Sequence, residues 1–262
     1  MGLPRNGEGR ILKKGMARPR KAGKGQRRPT KGTNARSEPD LLALHGALLA
    51  MFGPQRWWPA ESTFELIVGA ILTQQTAWAN VEKTVKRLKA EHLLTADALA
   101  RAYAGAIERA VRSCSFYRQK TRYLKSVAEY ILYNYGGDAD AMLRGSLEAK
   151  RTELLALDGV GEETADSILL YGAGQPVFVV DAYTRRLCGR LGLQAGERYN
   201  EVQKYFMGRL PKDVDIYQEF HALIVEVSKS FCRKRPACDG CPLACQCPRA
   251  RREKRHSAKV NI

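Results

Sequence analysis

Residues 155–171 contain two helical runs that are separated by Gly159-Val160-Gly161. The second run begins near Glu162, and the two glycines permit a tight reversal that a residue with a Cβ atom would resist. We expect Val160 to point inward and join the two helices. The pattern predicts a helix-hairpin-helix, although Gly-Val-Gly alone fits an ordinary interhelical turn with a glycine C-cap equally well.

A hairpin of this kind leaves backbone N–H groups at the start of its second helix without intrahelical partners. These groups and the positive end of the helix dipole together form a site for a phosphate. Such a contact reads the nucleic-acid backbone and not the base sequence. Gly159, Val160, Gly161 and Thr164 are therefore the candidate DNA-binding residues of the hairpin.

Apolar residues recur at helical spacing along most of the chain, which predicts an all-α fold. Stripes of this kind occur at Leu41, Leu44, Leu48 and Phe52, at Phe64, Ile67, Ile71 and Leu72, at Val81, Val85 and Leu88, and at Leu124, Val127 and Ile131. Further helices fit residues 146–157, 162–172, 181–191, 199–209 and 216–231. The only strand-like pattern is a short extended run at 177–180.

The net charge of +17 is concentrated at the two ends of the chain. Residues 1–37 hold 12 Lys and Arg against one Glu, and residues 248–262 hold six against one, so the intervening residues are nearly neutral. Both ends are poor in apolar residues, and we expect disordered tails that add salt-sensitive affinity for a polyanion. Tails that serve only solubility remain the alternative.

The chain shows no signal-peptide pattern at its start and no apolar run long enough to span a membrane. Five of its seven cysteines lie within 16 residues, which in an intracellular protein suggests a metal site and not disulfides. The two isolated thiols, Cys114 and Cys188, fit small core residues. We expect a soluble cytoplasmic protein that is nucleoid-associated if its source is bacterial.

An acidic residue follows the extended run, in Val177-Phe178-Val179-Val180-Asp181. Asp181 begins a helical segment, so it could act as an N-cap. The hairpin, this Val-Asp pair and the cysteine cluster occur in an order that resembles the endonuclease III superfamily of DNA glycosylases. The resemblance covers roughly residues 40–248.

The resemblance implies two helical domains with DNA in the cleft between them. Its six-helix barrel would span residues 62–175 and include the hairpin at 155–171. Residues 38–61 and 176–248 would form the second domain, which carries an iron-sulfur loop at 232–247. The basic tails would then be residues 1–37 and 249–262.

Asp181 aligns with the essential aspartate of this superfamily, which stabilises positive charge on the sugar and orients a water. Members that also nick the DNA backbone carry a lysine nucleophile two residues after the second glycine of the hairpin. Glu163 occupies that position here. Because a carboxylate cannot form the imine, the sequence predicts a monofunctional glycosylase without an efficient β-lyase step. Glu162 and Glu163 would also be favourable simply as acids in a first helical turn.

Two further segments resemble the parts of these enzymes that enter the DNA helix. Leu72-Thr73-Gln74-Gln75-Thr76 resembles a loop whose glutamine, here Gln74, fills the hole that the flipped base leaves. Phe116 matches the opposing apolar wedge. A buried polar cap and a core aromatic are the respective alternatives.

All three tryptophans precede the middle of the predicted barrel. Trp57-Trp58-Pro59, followed by Trp78 after the glutamine loop, is similar to the 3-methyladenine glycosylase branch of the superfamily. Stacking and cation-π attraction would let such rings bind a cationic alkylated purine. Trp57, Trp58, Trp78 and Glu163 are the predicted base pocket, although aromatic residues are more often part of a core.

The cysteine spacing Cys232-x5-Cys238-x2-Cys241-x5-Cys247 resembles the 4Fe-4S loop of the family, with a first gap one residue shorter than in endonuclease III itself. Thiolate chemistry alone allows iron-sulfur or zinc. Cys245 is an additional thiol that could replace Cys247 as fourth ligand. The resemblance favours a 4Fe-4S cluster held by Cys232, Cys238, Cys241 and Cys247.

The leading hypothesis is a monomeric base excision repair glycosylase that removes alkylated purines such as 3-methyladenine from double-stranded DNA. A uracil or thymine mismatch glycosylase, or a broader endonuclease III-like enzyme, would also fit a hairpin without lysine. A DNA-binding protein without catalytic activity is the rival of another class. The retention of Asp181 argues against it.

Overall fold

The computed structural model describes residues 39–253, and all regular structure in this range is helical. The all-α prediction is thereby confirmed, and the run 177–180 is extended without pairing as a strand. The predicted tail at 1–37 lies outside the described residues. In chain order the helices are α1 (Leu41–Phe52), α2 (Thr63–Thr73), α3 (Trp78–Ala90), α4 (Ala96–Arg101), α5 (Ala104–Val111), α6 (Tyr117–Tyr135), α7 (Ala139–Leu143), α8 (Leu147–Leu155), α9 (Glu162–Ser167), α10 (Ala182–Leu191), α11 (Tyr199–Met207) and α12 (Val214–Ser230), with a π-helical turn, Ile168–Gly172, continuing α9.

Side chains that the sequence places just before apolar stripes cap several of these helices. Ser62 accepts a hydrogen bond from the backbone N–H of Glu65 at the start of α2. At α1 the cap is Asp40, whose carboxylate accepts a hydrogen bond from the backbone N–H of Leu42. Such caps satisfy N–H groups that have no partner within the helix. Three short helices, α4, α5 and α7, were not predicted, because they have too few residues to establish an apolar period.

Helix α2 is surrounded by other helices. Every residue of its segment 64–72 is buried, and α2 packs against α3, α6, α7, α9 and the π-helical turn. A helix that is apolar on nearly all sides, as α2 is apart from Glu65, is stable only inside such a shell. This arrangement brings the C-terminal end of α2, with the predicted DNA-binding loop, next to the hairpin.

Residues from the two ends of the described chain pack together around α12. Helices α1 and α10 both contact α12, and α12 also reaches the π-helical turn. The rings of Phe178 and Phe206 stack at 4.4 Å, and Phe220 lies edge-on to both. This core fixes the extended run that leads into Asp181.

The predicted basic tail at 249–262 begins inside regular structure. Residues 248–253 form a further short helical segment after α12, in which Ala250 is buried. Arg251 donates to the carbonyl of Cys245 and ties this segment to the cysteine loop. The rest of that tail lies outside the described residues. Within residues 39–253, no helix is both long enough and apolar enough to cross a bilayer.

Candidate active site

Asp181 lies at the point where the buried extended run meets α10. Its Oδ1 accepts hydrogen bonds from the backbone N–H of Thr184 at 2.7 Å and from the Thr184 hydroxyl at 2.8 Å. Its Oδ2 lies 3.7 Å from Nε2 of His221 on α12. One carboxylate oxygen therefore caps the helix, while the other remains directed toward the site.

The environment of Asp181 keeps its carboxyl ionised although only 8% of the residue is exposed. Burial raises the pKa of this carboxyl, but interaction with His221 and the two donors of Thr184 outweighs burial, so the pKa lies below its usual value. A negative charge is thus held in a dry location, where its effect on a nearby developing cation is strong.

His221 is a site residue that the sequence prediction missed. It is 5% exposed, and its Nδ1 lies 2.7 Å from the hydroxyl of Tyr171 in the π-helical turn. The histidine stands on the buried face of α12, where a core histidine is the usual interpretation. The sequence alone could not identify His221 as a site residue, because it does not show which residues α12 packs against.

Glu163 lies close enough to Asp181 for their charges to interact. Glu163 is exposed in the first turn of α9, and desolvation by the surrounding protein, together with the charge of Asp181, raises the pKa of its carboxyl. The lysine position of the lyase enzymes is therefore occupied by an acid that faces the same site. No nucleophilic amine replaces it within this constellation of described residues.

The structure brings all three tryptophans into one aromatic cluster, as the pocket prediction requires. The Trp58 ring meets Trp78 at 5.4 Å and Tyr171 at 5.5 Å between centroids. The Trp57 ring lies 6.0 Å from that of His221, which connects the cluster to Asp181. All three tryptophans are half-buried.

Two contacts position the Trp57–Trp58 segment. The carboxylate of Glu219 on α12 accepts from the backbone N–H of Gln55 at 2.6 Å and of Arg56 at 3.5 Å. At Gly69 on α2, an added Cβ would lie 3.3 Å from Nε1 of Trp58, so the absence of a side chain lets the indole approach the helix.

The hairpin has the predicted reversal, but only one glycine is needed for it. Gly159 has φ +81°, and a Cβ there would lie 2.2 Å from the ring of Tyr123. Val160 is buried as expected, and its N–H donates to the carbonyl of Leu157. Gly161 has φ −90° and no atom within 4 Å of its Cβ position, so the expectation that it permits the turn is wrong. Its backbone instead faces open space.

Gln74 is placed differently from the wedge that the sequence predicted. Its amide donates to the carbonyl of Gly159 at 2.8 Å and to the hydroxyl of Thr164 at 3.0 Å. Thr164 is itself buried, so its side chain supports the hairpin from inside and does not face outward. The exposed residue of the loop is Gln75, whose backbone is left-handed with φ +51°.

A buried lysine that the sequence prediction missed holds this loop. The ammonium of Lys120 donates to the carbonyls of Leu72 and Gln74 and to the hydroxyl of Thr76, at 2.6 to 2.7 Å. Three acceptors satisfy the three donors of the ammonium, although its burial lowers the pKa of the lysine. The loop is thus clamped in one shape.

Phe116 lies at the tip of the neighbouring loop. Its backbone is left-handed with φ +54°, and 61% of the residue is exposed, which is unusual for a large apolar side chain. The N–H of Ser115 donates to the hydroxyl of Thr76 at 3.1 Å and ties the two loops together. An exposed ring on a fixed loop is compatible with the predicted wedge and excludes the core-aromatic alternative.

A buried polar network connects the hairpin helices with the run that ends in Asp181. Asp166 on α9 is fully buried and accepts from Nε of Arg151 at 2.6 Å, from the Tyr199 hydroxyl at 2.8 Å and from the amide of Gln203 at 2.7 Å. The same amide of Gln203 donates to the carbonyl of Phe178 at 2.7 Å. The network therefore aligns the residues that precede Asp181.

The four predicted metal ligands line one small, mostly apolar cavity beside α10 and α12. Cys232, Cys238, Cys241 and Cys247 all contribute to its wall. Arg190 donates to Sγ of Cys232 at 3.1 Å, whereas Cys245 is exposed and outside the cavity. Within residues 39–253, no three His, Cys, Asp or Glu side chains are arranged to ligate a metal ion, so the ligand set stays a prediction. Cys114 and Cys188 are buried in the core as expected.

Known proteins are similar to this chain in sequence and in fold. The model of the HhH-GPD superfamily of base excision DNA repair proteins matches residues 68–212. A protein from Methanocaldococcus jannaschii with the provisional name of a DNA repair glycosylase is 44% identical over 206 residues, which cover 78% of this chain and 93% of that protein.

Two solved structures are also similar. An endonuclease III trapped as a covalent intermediate with DNA superimposes with a TM-score of 0.72 at 26% identity, over 82% of this chain and 97% of that one. The 3-methyladenine DNA glycosylase MagIII of H. pylori, bound to 1,N6-ethenoadenine, gives a TM-score of 0.63 at 27% identity, over 73% and 98%. The chain belongs to the HhH-GPD superfamily of base excision DNA repair proteins, and its enzyme class is that of the DNA N-glycosylases.

Proposed function

We propose that this glycosylase receives a flipped, alkylated purine in the aromatic pocket and hydrolyses its N-glycosidic bond with the help of Asp181. The observation that carries the proposal is an ionised, buried carboxylate at the end of a cluster of three half-buried indoles. The neighbouring hairpin would hold the DNA backbone. A 3-methyladenine enzyme among the similar structures supports the same lesion class.

In the proposed reaction the bond between sugar and base lengthens and positive charge develops on the sugar. The carboxylate of Asp181 stabilises that charge and orients a water that adds to C1′, while the base departs with the bonding electrons. The added water gives up one proton to the carboxylate or to bulk solvent. A purine nucleotide alkylated at N3 or N7 already carries a positive charge, so it leaves as a neutral base without an added proton. The site therefore needs a fixed anion more than a general acid.

We propose that catalysis is monofunctional, because the lyase lysine is replaced by Glu163. Wild-type enzyme should release base and leave an intact abasic strand, and borohydride should trap no covalent complex with DNA. A Glu163→Lys variant is the matched positive control, because it places an amine beside Asp181. Strong trapping of the wild type would contradict the proposal.

The lesion is tested at Trp78, whose ring is in contact with Trp58. Each well-placed ring adds roughly 1 to 2 kcal/mol to the binding of a cationic purine, so Trp78→Ala should lower 3-methyladenine release by about tenfold or more. Trp78→Phe should retain most of the activity, and binding of undamaged DNA should hardly change. Normal release by a folded Trp78→Ala enzyme, measured by single-turnover kinetics, would show that the Trp78 ring is not part of the pocket.

We propose that double-stranded DNA lies in a cleft between residues 62–175 and a second domain formed by 38–61 and 176–248, with the enzyme acting as a monomer. The loops at Gln75 and Phe116 would enter the helix around the flipped base. Gln75 is the candidate for filling the hole, because it is exposed. Gln74 would instead hold the loop against the hairpin.

We propose that Cys232, Cys238, Cys241 and Cys247 hold a 4Fe-4S cluster. Their shared apolar cavity and the Arg190 donor to Cys232 fit a group that needs thiolates shielded from water and hydrogen bonds to sulfur. The bound cluster would brace the loop that carries Arg233, Lys234 and Arg235, and it takes no part in base release.

Anaerobically purified protein should therefore contain about four iron atoms and be brown, which is the stoichiometry expected of such a cluster. Cys238→Ser should lose the colour, whereas Cys245→Ser should keep it, because Cys245 lies outside the cavity. Metal analysis and visible absorption measure both results. Colourless wild-type protein with stoichiometric zinc would overturn the assignment.

A further inference from the structure

His221 lies between Tyr171 and Asp181, and no step of the proposed bond cleavage involves it. Its Nδ1 is engaged by the Tyr171 hydroxyl, while its Nε2 is buried, lacks a hydrogen-bond partner among the described residues and faces Oδ2 of Asp181 at 3.7 Å. Buried polar atoms are rarely left in this state. The nitrogen is therefore aimed at the one oxygen of Asp181 that does not cap α10.

The hydrogen bonds of Tyr171 determine where the histidine carries its proton. Burial raises the pKa of the Tyr171 hydroxyl, so it keeps its single proton, which can go to Nδ1 at 2.7 Å or to the carbonyl of Gln218 at 3.2 Å. If the proton goes to Nδ1, the neutral ring carries its hydrogen on Nε2. If it goes to the carbonyl, Nδ1 must donate instead, and the neutral ring presents the lone pair of Nε2. The first arrangement directs an N–H at Asp181, and it is the arrangement in which Nε2 faces a carboxylate favourably.

The other charged groups around Asp181 do not provide this interaction. Glu163 on α9 adds a negative charge, and Glu219 on α12 binds the backbone of the Trp57 loop. Arg185 on α10 acts on Glu163, and its guanidinium lies 3.5 Å from the carbonyl of Glu197. Thr184 contacts only the capping oxygen. His221 is thus the donor that faces the reactive oxygen.

We propose that His221 is a positioning residue that keeps Oδ2 of Asp181 ionised and oriented, and that Tyr171 fixes the ring of His221 for this task. The importance of His221 for catalysis rests on the proposed function. Its physical claim concerns Asp181 alone, and this claim can be measured without substrate.

The direct test is a ¹³C NMR titration of the Asp181 carboxyl in wild type, His221→Gln and Tyr171→Phe, with Asp181→Asn to assign the signal. Without His221, burial dominates, so the carboxyl should titrate at higher pH than in wild type. Tyr171→Phe should shift the titration in the same direction by less. His45→Gln, which removes another buried histidine, should not shift it, because His45 packs on Phe220 and does not contact Asp181.

Base release supplies the functional readout. Between about pH 8 and about pH 5.5, the rate of base release should fall in both enzymes. The factor by which it falls should be roughly ten times larger for His221→Gln than for wild type, while DNA affinity stays unchanged. An unshifted carboxyl titration in both folded variants would overturn the role of His221. If the titration shifts in the variants but the wild-type enzyme releases no base, the role of His221 is supported and the proposed function is overturned instead. If His221→Gln fails to fold, Tyr171→Phe decides by the same titration.

Discussion

Replacing Asp181 by Asn is expected to lower base release by roughly a thousandfold or more, since the variant loses the one charge that stabilises the developing sugar cation. The carboxylate is buried, its pKa lies below the usual value, and its Oδ2 faces His221, whose ring lies beside that of Trp57. In such a dry site a neutral amide is a poor replacement for an anion. Single-turnover release from DNA that contains an alkylated purine measures the effect.

Asparagine is the informative replacement because Asp181 also caps α10. Its side-chain oxygen can still accept from the N–H of Thr184, so the helix start should survive. Melting temperature and DNA affinity should therefore remain close to those of wild type. Near-normal release by a folded Asp181→Asn enzyme would place the chemistry at another residue.

Replacing Asp166 by Ala is expected to destabilise the protein by about 3 to 5 kcal/mol, because it leaves the buried partners of a charged network without their acceptor. Arg151, Tyr199 and Gln203 all donate to this carboxylate. A loss of that size should lower the melting temperature by ~10 °C. Calorimetry of wild type and variant measures it.

The matched control is Asp97→Ala at the surface. Asp97 accepts from Nε of Arg101 at 2.7 Å, nearly the same geometry as the 2.6 Å contact between Asp166 and Arg151, but both surface side chains are exposed. Solvent screening makes such pairs weak, so the melting temperature should hardly change. Equal effects of the two substitutions would show that the Asp166 network does not stabilise the fold.

The parts of the fold that the sequence predicts well depend on local patterns. Apolar periodicity and caps such as Ser62 define the long helices, because these signals act within a few residues. The buried position of Val160 and the tryptophan cluster also agree with prediction. Resemblance to a family was needed for the cluster, since nothing local places Trp78 beside Trp58.

The residues that were missed act across long stretches of chain. His221 meets Tyr171 over 50 positions, Lys120 meets the Leu72 carbonyl over 48, and Gln203 meets Asp166 over 37. Each is a polar side chain on a buried helix face, where the pattern gives no partner. Only the packing of the helices identifies their functions.

The two glutamines of the loop show a different limit. A resemblance aligns Gln74 with the wedge of other glycosylases, but the direction of each side chain depends on the backbone. Gln75 has a left-handed backbone and is exposed, whereas the hairpin accepts a hydrogen bond from the amide of Gln74. Composition cannot distinguish two adjacent glutamines of equal chemistry.

Mass spectrometry of the bases released from DNA tests the central proposal most directly. Wild-type enzyme and Asp181→Asn would each receive DNA that contains alkylated, deaminated and oxidised bases. The proposed function predicts that wild type releases 3-methyladenine and related alkylated purines, that the strand stays intact, and that the variant releases almost nothing. Release of uracil or mispaired thymine in preference to alkylated purines, or no release of any base by wild type, would contradict it.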